Sequence, residues 1–298
     1  MSGVLVIGAA GLLGRAVLAE ARRFGDAHAI VAQANAGIPD AHVLRLSPEA
    51  ADPMARLLEG LGPAAIVNCA GRTSGDADEL KAANVDAVAA LLEAMRLGAP
   101  TARLVHLGSA AEYAEVAEGR TGEDAPVNTA SPYAASKVAG SRLVADASER
   151  GMDAIVARVF NPIGAGMPAT SLPGRAARLL HAAVAGGAGV VELGPLDAVR
   201  DYVDLRDVAT ATRILASERD LAHGAYNIGT GRPTVVRDLI RMIAQRVGFS
   251  GRIHETAAVP SRGVARQVAD PARMHSAGWK PAITLDESVD ALVAGMDE

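Results

Sequence analysis

Apolar positions in the first half of the chain fall into short runs separated by helical stripes. Runs at 4–7, 29–32, 42–46, 65–69, 103–107 and 154–160 read as buried strands. Residues 12–24 place Leu13, Val17 and Ala21 on one helix face, and residues 54–61 form a second helix. Residues 79–97 predict one long helix with the stripe Leu80, Ala83, Ala87, Leu91 and Met95. Residues 132–149 predict another, with Ser131 as N-cap and Pro132 at the first helical position. Regular strand–helix alternation implies an α/β fold whose parallel sheet is covered on both faces.

The rhythm breaks after Phe160. Residues 161–174, rich in Gly and Pro, read as a loop. Helices are expected over 175–185, 207–217 and 235–247, and strands over 190–194 and 225–228. Residues 201–205 open a segment that returns to the sheet, and 229–233 form a turn. From Arg252 the tail is irregular, with a final helix near 286–296. The expected organisation is a Rossmann-type, doubly wound dinucleotide domain over 1–160, rejoined by 201–228. A smaller C-terminal substrate lobe takes the pieces 161–200 and 229–298.

Composition narrows the function. A chain of 298 residues buries a sizeable core without disulfides. Half of its residues are apolar but only 3% are aromatic, so that core is built from Ala, Val, Leu and Ile. The net charge of −5 argues against a nucleic-acid or anionic-membrane surface. Cys69 is the sole cysteine, so no intrachain disulfide forms, and its strand-end setting reads as a small buried thiol. The seven histidines show no zinc spacing, so no metal is expected. No apolar run is long enough for a bilayer, and the apolar opening is broken by glycines and followed at once by Arg15. The expectation is a cytoplasmic protein.

Chemistry concentrates in two stretches. Gly8-x-x-Gly11-Leu12-Leu13-Gly14 follows the first strand and opens a helix, whose unpaired N–H groups suit a pyrophosphate. Gly8 serves the tight turn, Gly11 the approach of phosphates and Gly14 the packing of helix on strand. Arg15 stands within reach of a phosphate. At the end of the second strand an acid would grip ribose hydroxyls, but the chain has Gln33 and Asn35 there. Neither NAD nor NADP is excluded. Small residues at Ala70 and Gly71 leave room for the adenine side of a dinucleotide.

The second stretch is Tyr133-Ala-Ala-Ser-Lys137. Residues four apart share a helix face, so the lysine ammonium is expected to lower the pKa of the phenol, which otherwise ionises near ~10. Ser109 ends the strand at 103–107, and strand C-termini meet at the ligand crevice of a doubly wound sheet. Its hydroxyl is expected to bond the same carbonyl oxygen as Tyr133.

Together these residues resemble the extended short-chain dehydrogenase/reductases, the family of nucleotide-sugar epimerases, dehydratases and reductases. The motifs run nearly end to end. They are the Gly8–Gly14 turn, Asn84-Val85, Gly108-Ser-Ala-Ala-Glu-Tyr113, Tyr133-x-x-x-Lys137, Arg158-Val-Phe-Asn161-Pro-Ile-Gly164, Ala198-Val-Arg200-Asp-Tyr-Val-Asp-Leu-Arg-Asp207 and Gly278-Trp-Lys-Pro281. The look is nearest to GDP-4-keto-6-deoxymannose reductases. The resemblance implies Tyr133 as general acid, Lys137 as its electrostatic partner and ribose anchor, and Ser109 as carbonyl hydrogen-bond donor. It implies Asn84 at the cofactor, and Asn161 and Arg200 at the sugar diphosphate. Two positions depart from the family pattern. Val259-Pro260-Ser261 stands at its Arg-Pro motif, with Arg262 and Arg266 nearby, and Ser47 replaces the acid expected after the third strand.

The 4,6-dehydratases of that family carry acids just after the serine. Here those positions are Ala110 and Ala111, which line the substrate, while Glu112 is expected to point away. Reductases and 4-epimerases both survive, and a catalytically idle dinucleotide binder is the third reading. The leading expectation is an NAD(P)H-dependent ketoreductase acting on a nucleotide-linked 4-keto-6-deoxy sugar or a related natural-product ketone. The helices at 79–97 and 132–149 offer faces for a homodimer.

Overall fold

The computed structural model describes residues 3–25, 27–31, 37–116, 118–256 and 264–296. The first half runs β1 (Val4–Ile7), α1 (Leu12–Phe24), β2 (Ala27–Val31), β3 (His42–Val43), α2 (Ala51–Leu61), β4 (Ala65–Asn68), α3 (Ala77–Lys81), α4 (Ala87–Gly98), β5 (Arg103–Ser109), α5 (Pro132–Glu149) and β6 (Ala154–Val159). The second half adds β7 (Pro162–Ile163), α6 (Leu172–Ala185), β8 (Val190–Leu193), β9 (Val199–Arg200), β10 (Val203–Asp204), α7 (Leu205–Ser217) and β11 (Ala225–Ile228). It ends with β12 (Thr234–Val235), α8 (Val236–Val247), β13 (Arg252–Glu255), β14 (Arg266–Gln267), α9 (Ala272–Ser276) and α10 (Leu285–Ala294).

Among the described residues the central sheet has seven strands in the order β11-β6-β5-β4-β1-β2-β3. All neighbours are parallel. β1 pairs with β2 on one side and β4 on the other, so the strand order reverses there and the strand C-termini open a crevice. Side chains alternate between the faces. Val6, Val67 and Val105 pack on Val17 and Leu18 of α1 and on Val208 and Leu215 of α7. Leu5, Ile66 and Leu104 pack on Met54 and Leu58 of α2, Leu91 and Met95 of α4, and Val144 of α5. Burying one such Leu or Val contributes about 1.5–3 kcal/mol. A separate core joins α6, α8 and α10 through Leu180, Leu239, Ile243 and Val289. No helix among the described residues is long and apolar enough to cross a membrane.

The single helix expected over 79–97 is broken. A π turn at Ala82–Asp86 separates α3 from α4. The widened turn brings Asn84 to a fully buried position, where Nδ2 donates to the Arg72 carbonyl and to Ser136 Oγ, both at 2.9 Å. The stretch expected as a loop over 161–174 contains β7 and the start of α6. That start uses the same device as α5: Ser171 Oγ accepts from Gly174 N at 3.1 Å with Pro173 in the first turn, as Ser131 Oγ accepts from Ala134 N at 3.1 Å. β10 pairs with β7 in a separate two-stranded sheet, so α7 and β11 make the return to the central one. The tail is not irregular at its start: β13 pairs in parallel with β8.

Candidate active site

The crevice begins at the turn after β1. Gly8 has φ of +72° and donates to the Ile30 carbonyl at 3.0 Å. A Cβ there would meet the Ala70 N atom at 2.7 Å, and a Cβ on Gly14 would meet the Gly8 carbonyl oxygen at 2.1 Å. Both positions therefore need glycine, and Gly14 lets α1 close on the turn. Gly11 caps α1 without a side-chain hydrogen bond, which leaves the first-turn N–H groups of Leu12, Leu13 and Gly14 facing the crevice end. The Leu13 side chain packs into the core beneath α1, and Leu12 packs toward the core of α6, α8 and α10. Arg15 Nε donates to the Ala10 carbonyl at 3.0 Å.

Beyond the turn lies a cleft of about 570 Å³ lined by Ile7, Ile30, Val31, Ser47, Ala70 and Gly71. Its floor is held by two asparagines. Asn68 Oδ1 accepts from Ala70 N at 3.0 Å, and Asn84 Oδ1 accepts from Arg72 N at 2.9 Å. Asn84 thus fixes the loop at Gly71–Arg72 with its side chain committed to protein partners. Gln33 and Asn35 lie outside the described residues, as do Val259–Arg262. A helix terminus free of side-chain caps, a turn with no room for Cβ atoms and a floor of small residues fit a dinucleotide.

The end of β5 meets the start of α5. Ser109 Oγ accepts from Ala111 N at 3.1 Å, and its side chain is near enough to the Tyr133 phenol to favour the ionised form. Tyr133 is half-buried and Lys137, one turn on, is 6% exposed. Lys137 Nζ donates to the Leu107 carbonyl at 2.8 Å. The phenol behaves opposite to the expectation from the Tyr–Lys spacing. Burial raises its pKa above the ordinary value, the Ser109 side chain opposes this, and the Glu112 charge adds to the rise. One Lys137 donor goes to the Leu107 carbonyl, and desolvation of the phenolate is the largest influence on the phenol. Burial also lowers the Lys137 pKa, while Glu112 and Cys69 pull it back up. Cys69 is a partly buried thiol whose pKa burial pushes up to about 12.

Ala110 and Ala111, expected at the substrate, follow Ser109 in a tight 3-10 turn, not in a strand-like segment. Glu112 closes that turn and folds back onto its start. Its Oε1 accepts from Ser109 N at 2.7 Å. Asn161 Nδ2 donates to the Asp201 carbonyl at 3.0 Å. Arg200 donates to the carbonyls of Val199 and Val264 at 2.9 and 2.8 Å, and burial lowers its pKa. In this arrangement the guanidinium ties β9 to the segment before β14. Arg266 Nε reaches the Gly119 carbonyl at 3.2 Å.

Sequence reasoning missed Asp201. It has no exposure, and its carboxylate accepts from the N–H groups of Thr230, Gly231 and Ala269 at 2.9, 2.8 and 3.1 Å. It therefore joins β9, the turn after β11 and the segment after β14. Gln267 Nε2 donates to the Ala110 carbonyl at 2.8 Å and links β14 to the serine turn. The available signal was an acid between two half-apolar strands, but its partners lie 29 or more residues away.

Comparison with known proteins agrees with this geometry. The chain is 36% identical over 234 residues to dTDP-6-deoxy-L-talose 4-dehydrogenase (NAD(P)(+)) of Kitasatospora kifunensis, covering 76% of this chain and 73% of that one. It is 31% identical over 210 residues to GDP-6-deoxy-D-mannose reductase of Pseudomonas aeruginosa, covering 68% and 69%. The structure of RMD from Pseudomonas aeruginosa complexed with NADPH superposes with a TM-score of 0.82 at 26% identity, over 98% of both chains. Residues 4–229 match the model of the NAD dependent epimerase/dehydratase family, and the chain belongs to that family.

Proposed function

We propose that this protein is an NAD(P)H-dependent ketoreductase that reduces the keto group of a nucleotide-linked 4-keto-6-deoxy sugar. The observation that carries this reading is the grouping of Ser109 at the end of β5 with Tyr133 and buried Lys137 at the start of α5, where Lys137 Nζ donates to the Leu107 carbonyl of β5 at 2.8 Å. The two relatives named for a 4-dehydrogenase and a reductase of 6-deoxy sugar nucleotides support it. Bound NAD(P)H supplies the hydride that adds to the carbonyl carbon. Tyr133 donates its proton to the carbonyl oxygen, completing the hydroxyl. Ser109 donates to the same oxygen while charge builds on it. Lys137, buried beneath Tyr133, provides positive charge for the phenolate left behind and a donor for the nicotinamide ribose. Ala110 and Ala111 give the turn no carboxylate for dehydration, which fits simple reduction.

The test compares NADPH and NADH consumption across dTDP- and GDP-linked 4-keto-6-deoxy sugars. Reduction of at least one, with Tyr133→Phe slowed about 100-fold or more at unchanged NADPH affinity, is the expected result. Near-normal turnover by Tyr133→Phe overturns the role of the phenol. Interconversion of sugar epimers on copurified nucleotide, with no added NAD(P)H, replaces the reductase with the 4-epimerase that the sequence leaves open.

A further inference from the structure

We propose that Glu112 is a positioning residue for this site: its buried carboxylate locks the Ser109 backbone in place and, paired with Arg158, stands as a fixed anion behind the proton donor. This deepens the ketoreductase reading and rests on it.

The geometry is specific. Glu112 has no exposure, and its two oxygens divide their work. Oε1 accepts from Ser109 N at 2.7 Å, and Oε2 accepts from Arg158 Nε at 2.8 Å. A Cβ on Gly108 would stand 2.6 Å from Oε1, so the strand end is bare where the carboxylate folds back. Arg158 is itself fixed. Its Nη1 donates to Tyr113 Oη at 3.0 Å and to the Glu123 carbonyl at 3.1 Å, and its guanidinium lies 4.8 Å from the Tyr113 ring centre. Tyr113 in turn donates to Asn227 Oδ1 at 2.6 Å.

A capping carboxylate on a three-residue turn usually sits in water. Burying this one carries a desolvation cost that capping alone does not require, and that removal of either partner would expose. What the burial achieves is proximity to the donor pair. The charged and titratable groups that feel it are Lys137 and Tyr133 on α5, Arg158 on β6 and the neighbouring Tyr113. Glu112 favours the protonated form of both Tyr133 and Lys137. A donor that must hold its proton until hydride arrives benefits from such an anion, and a base that must first lose it does not.

Glu112→Gln keeps an acceptor for Ser109 N and removes the charge. The expected result is a downward move of the alkaline limb of kcat/KM for ketone reduction, by about one pH unit, with KM for the ketone little changed. A readout free of substrate and cofactor is the 19F titration of protein made with 3-fluorotyrosine. The chain has four tyrosines, and the Tyr133→Phe variant identifies the signal of Tyr133. That signal should titrate lower in Glu112→Gln. Should Arg158 left unpaired prevent folding, Glu112→Gln combined with Arg158→Met removes both charges and should give a smaller shift in the same direction, because the guanidinium favours the phenolate that the carboxylate opposes. An unmoved Tyr133 titration in a folded variant overturns the proposal even if the protein reduces ketones. A shifted titration with no ketone reduced leaves the role of Glu112 standing and removes the reductase reading instead.

Discussion

The Ser288 hydroxyl donates to Asp204 Oδ2 at 2.7 Å, with both residues buried. This bond ties the start of α7 to α10. Asp204 also caps α7 by accepting from Arg206 N and Arg206 Nε, both at 2.8 Å. Burial pushes its carboxyl up, but the Arg206 and Ser288 hydrogen bonds outweigh it and hold the pKa below the usual 3.8. A lowered folded-state pKa gives stability that is full above the unfolded value and is lost as pH falls through the folded one. Asp201 and Asp207 run the other way, because burial raises them. The stability difference between the parent and Asp204→Asn should therefore be largest near neutrality and shrink once pH drops below 3.8. Urea unfolding across that range reads it. Ser288→Ala should cost about 1–2 kcal/mol at neutral pH.

Asp201 should be the most sensitive carboxylate outside the Ser109–Glu112 turn. Its donors come from two chain segments, so losing it leaves the N–H groups of Thr230, Gly231 and Ala269 without partners. Asp201→Ala is expected to lower stability by about 3 kcal/mol or more. Asp201→Asn should fall between the two, because its amide turns two donors toward N–H groups. Denaturant midpoints of the three proteins give the ranking.

Local chemistry made much of this fold legible. β1, α1, α5 and β11 begin and end where periodicity and the Ser–Pro start place them. The same reasoning overlooked the Ser171–Pro173 start of α6, where the capping signal was present but sat inside a Gly- and Pro-rich stretch. The π turn at Ala82–Asp86 was hidden because the apolar stripe continues through it at ordinary spacing. Only a buried Asn84 marks it, and its partners are 12 and 52 residues away. β13 carries one apolar residue, Ile253, and depends on pairing with distant β8. In the candidate site, Ser109, Tyr133 and Lys137 stand out in the sequence because their residue types have few other uses at that spacing. The direction of the Tyr133 shift does not, since burial and the position of Glu112 exist only in three dimensions.

Gly14 and Gly60 should respond oppositely to the same methyl group. A Cβ on Gly14 collides with the Gly8 carbonyl oxygen at 2.1 Å, whereas a Cβ on Gly60 in α2 meets nothing within 4 Å. Gly14→Ala is expected to destabilise the protein by about 1–3 kcal/mol and to weaken NADPH binding, since α1 must move from the turn. Gly60→Ala should stabilise it by about 0.5–1 kcal/mol with binding unchanged. Thermal midpoints and calorimetric titration with NADPH separate the two effects.

Asn84 should affect cofactor binding without touching the cofactor. Its side chain makes a reciprocal pair with the Arg72 backbone and a third bond to Ser136 Oγ, which itself donates to the Tyr133 carbonyl at 2.8 Å. One residue thus holds both the floor of the cleft and the first turn of α5. Asn84→Ala removes three buried hydrogen bonds and should cost about 2–3 kcal/mol of stability. It should also raise the dissociation constant for NAD(P)H by roughly tenfold, because the loop at Gly71–Arg72 must then be ordered on binding. Asn84→Asp keeps the acceptor for Arg72 N but turns a carboxylate toward the Arg72 carbonyl, so it should not rescue binding. A variant that binds NADPH as the parent does, while losing stability, would confine Asn84 to the fold.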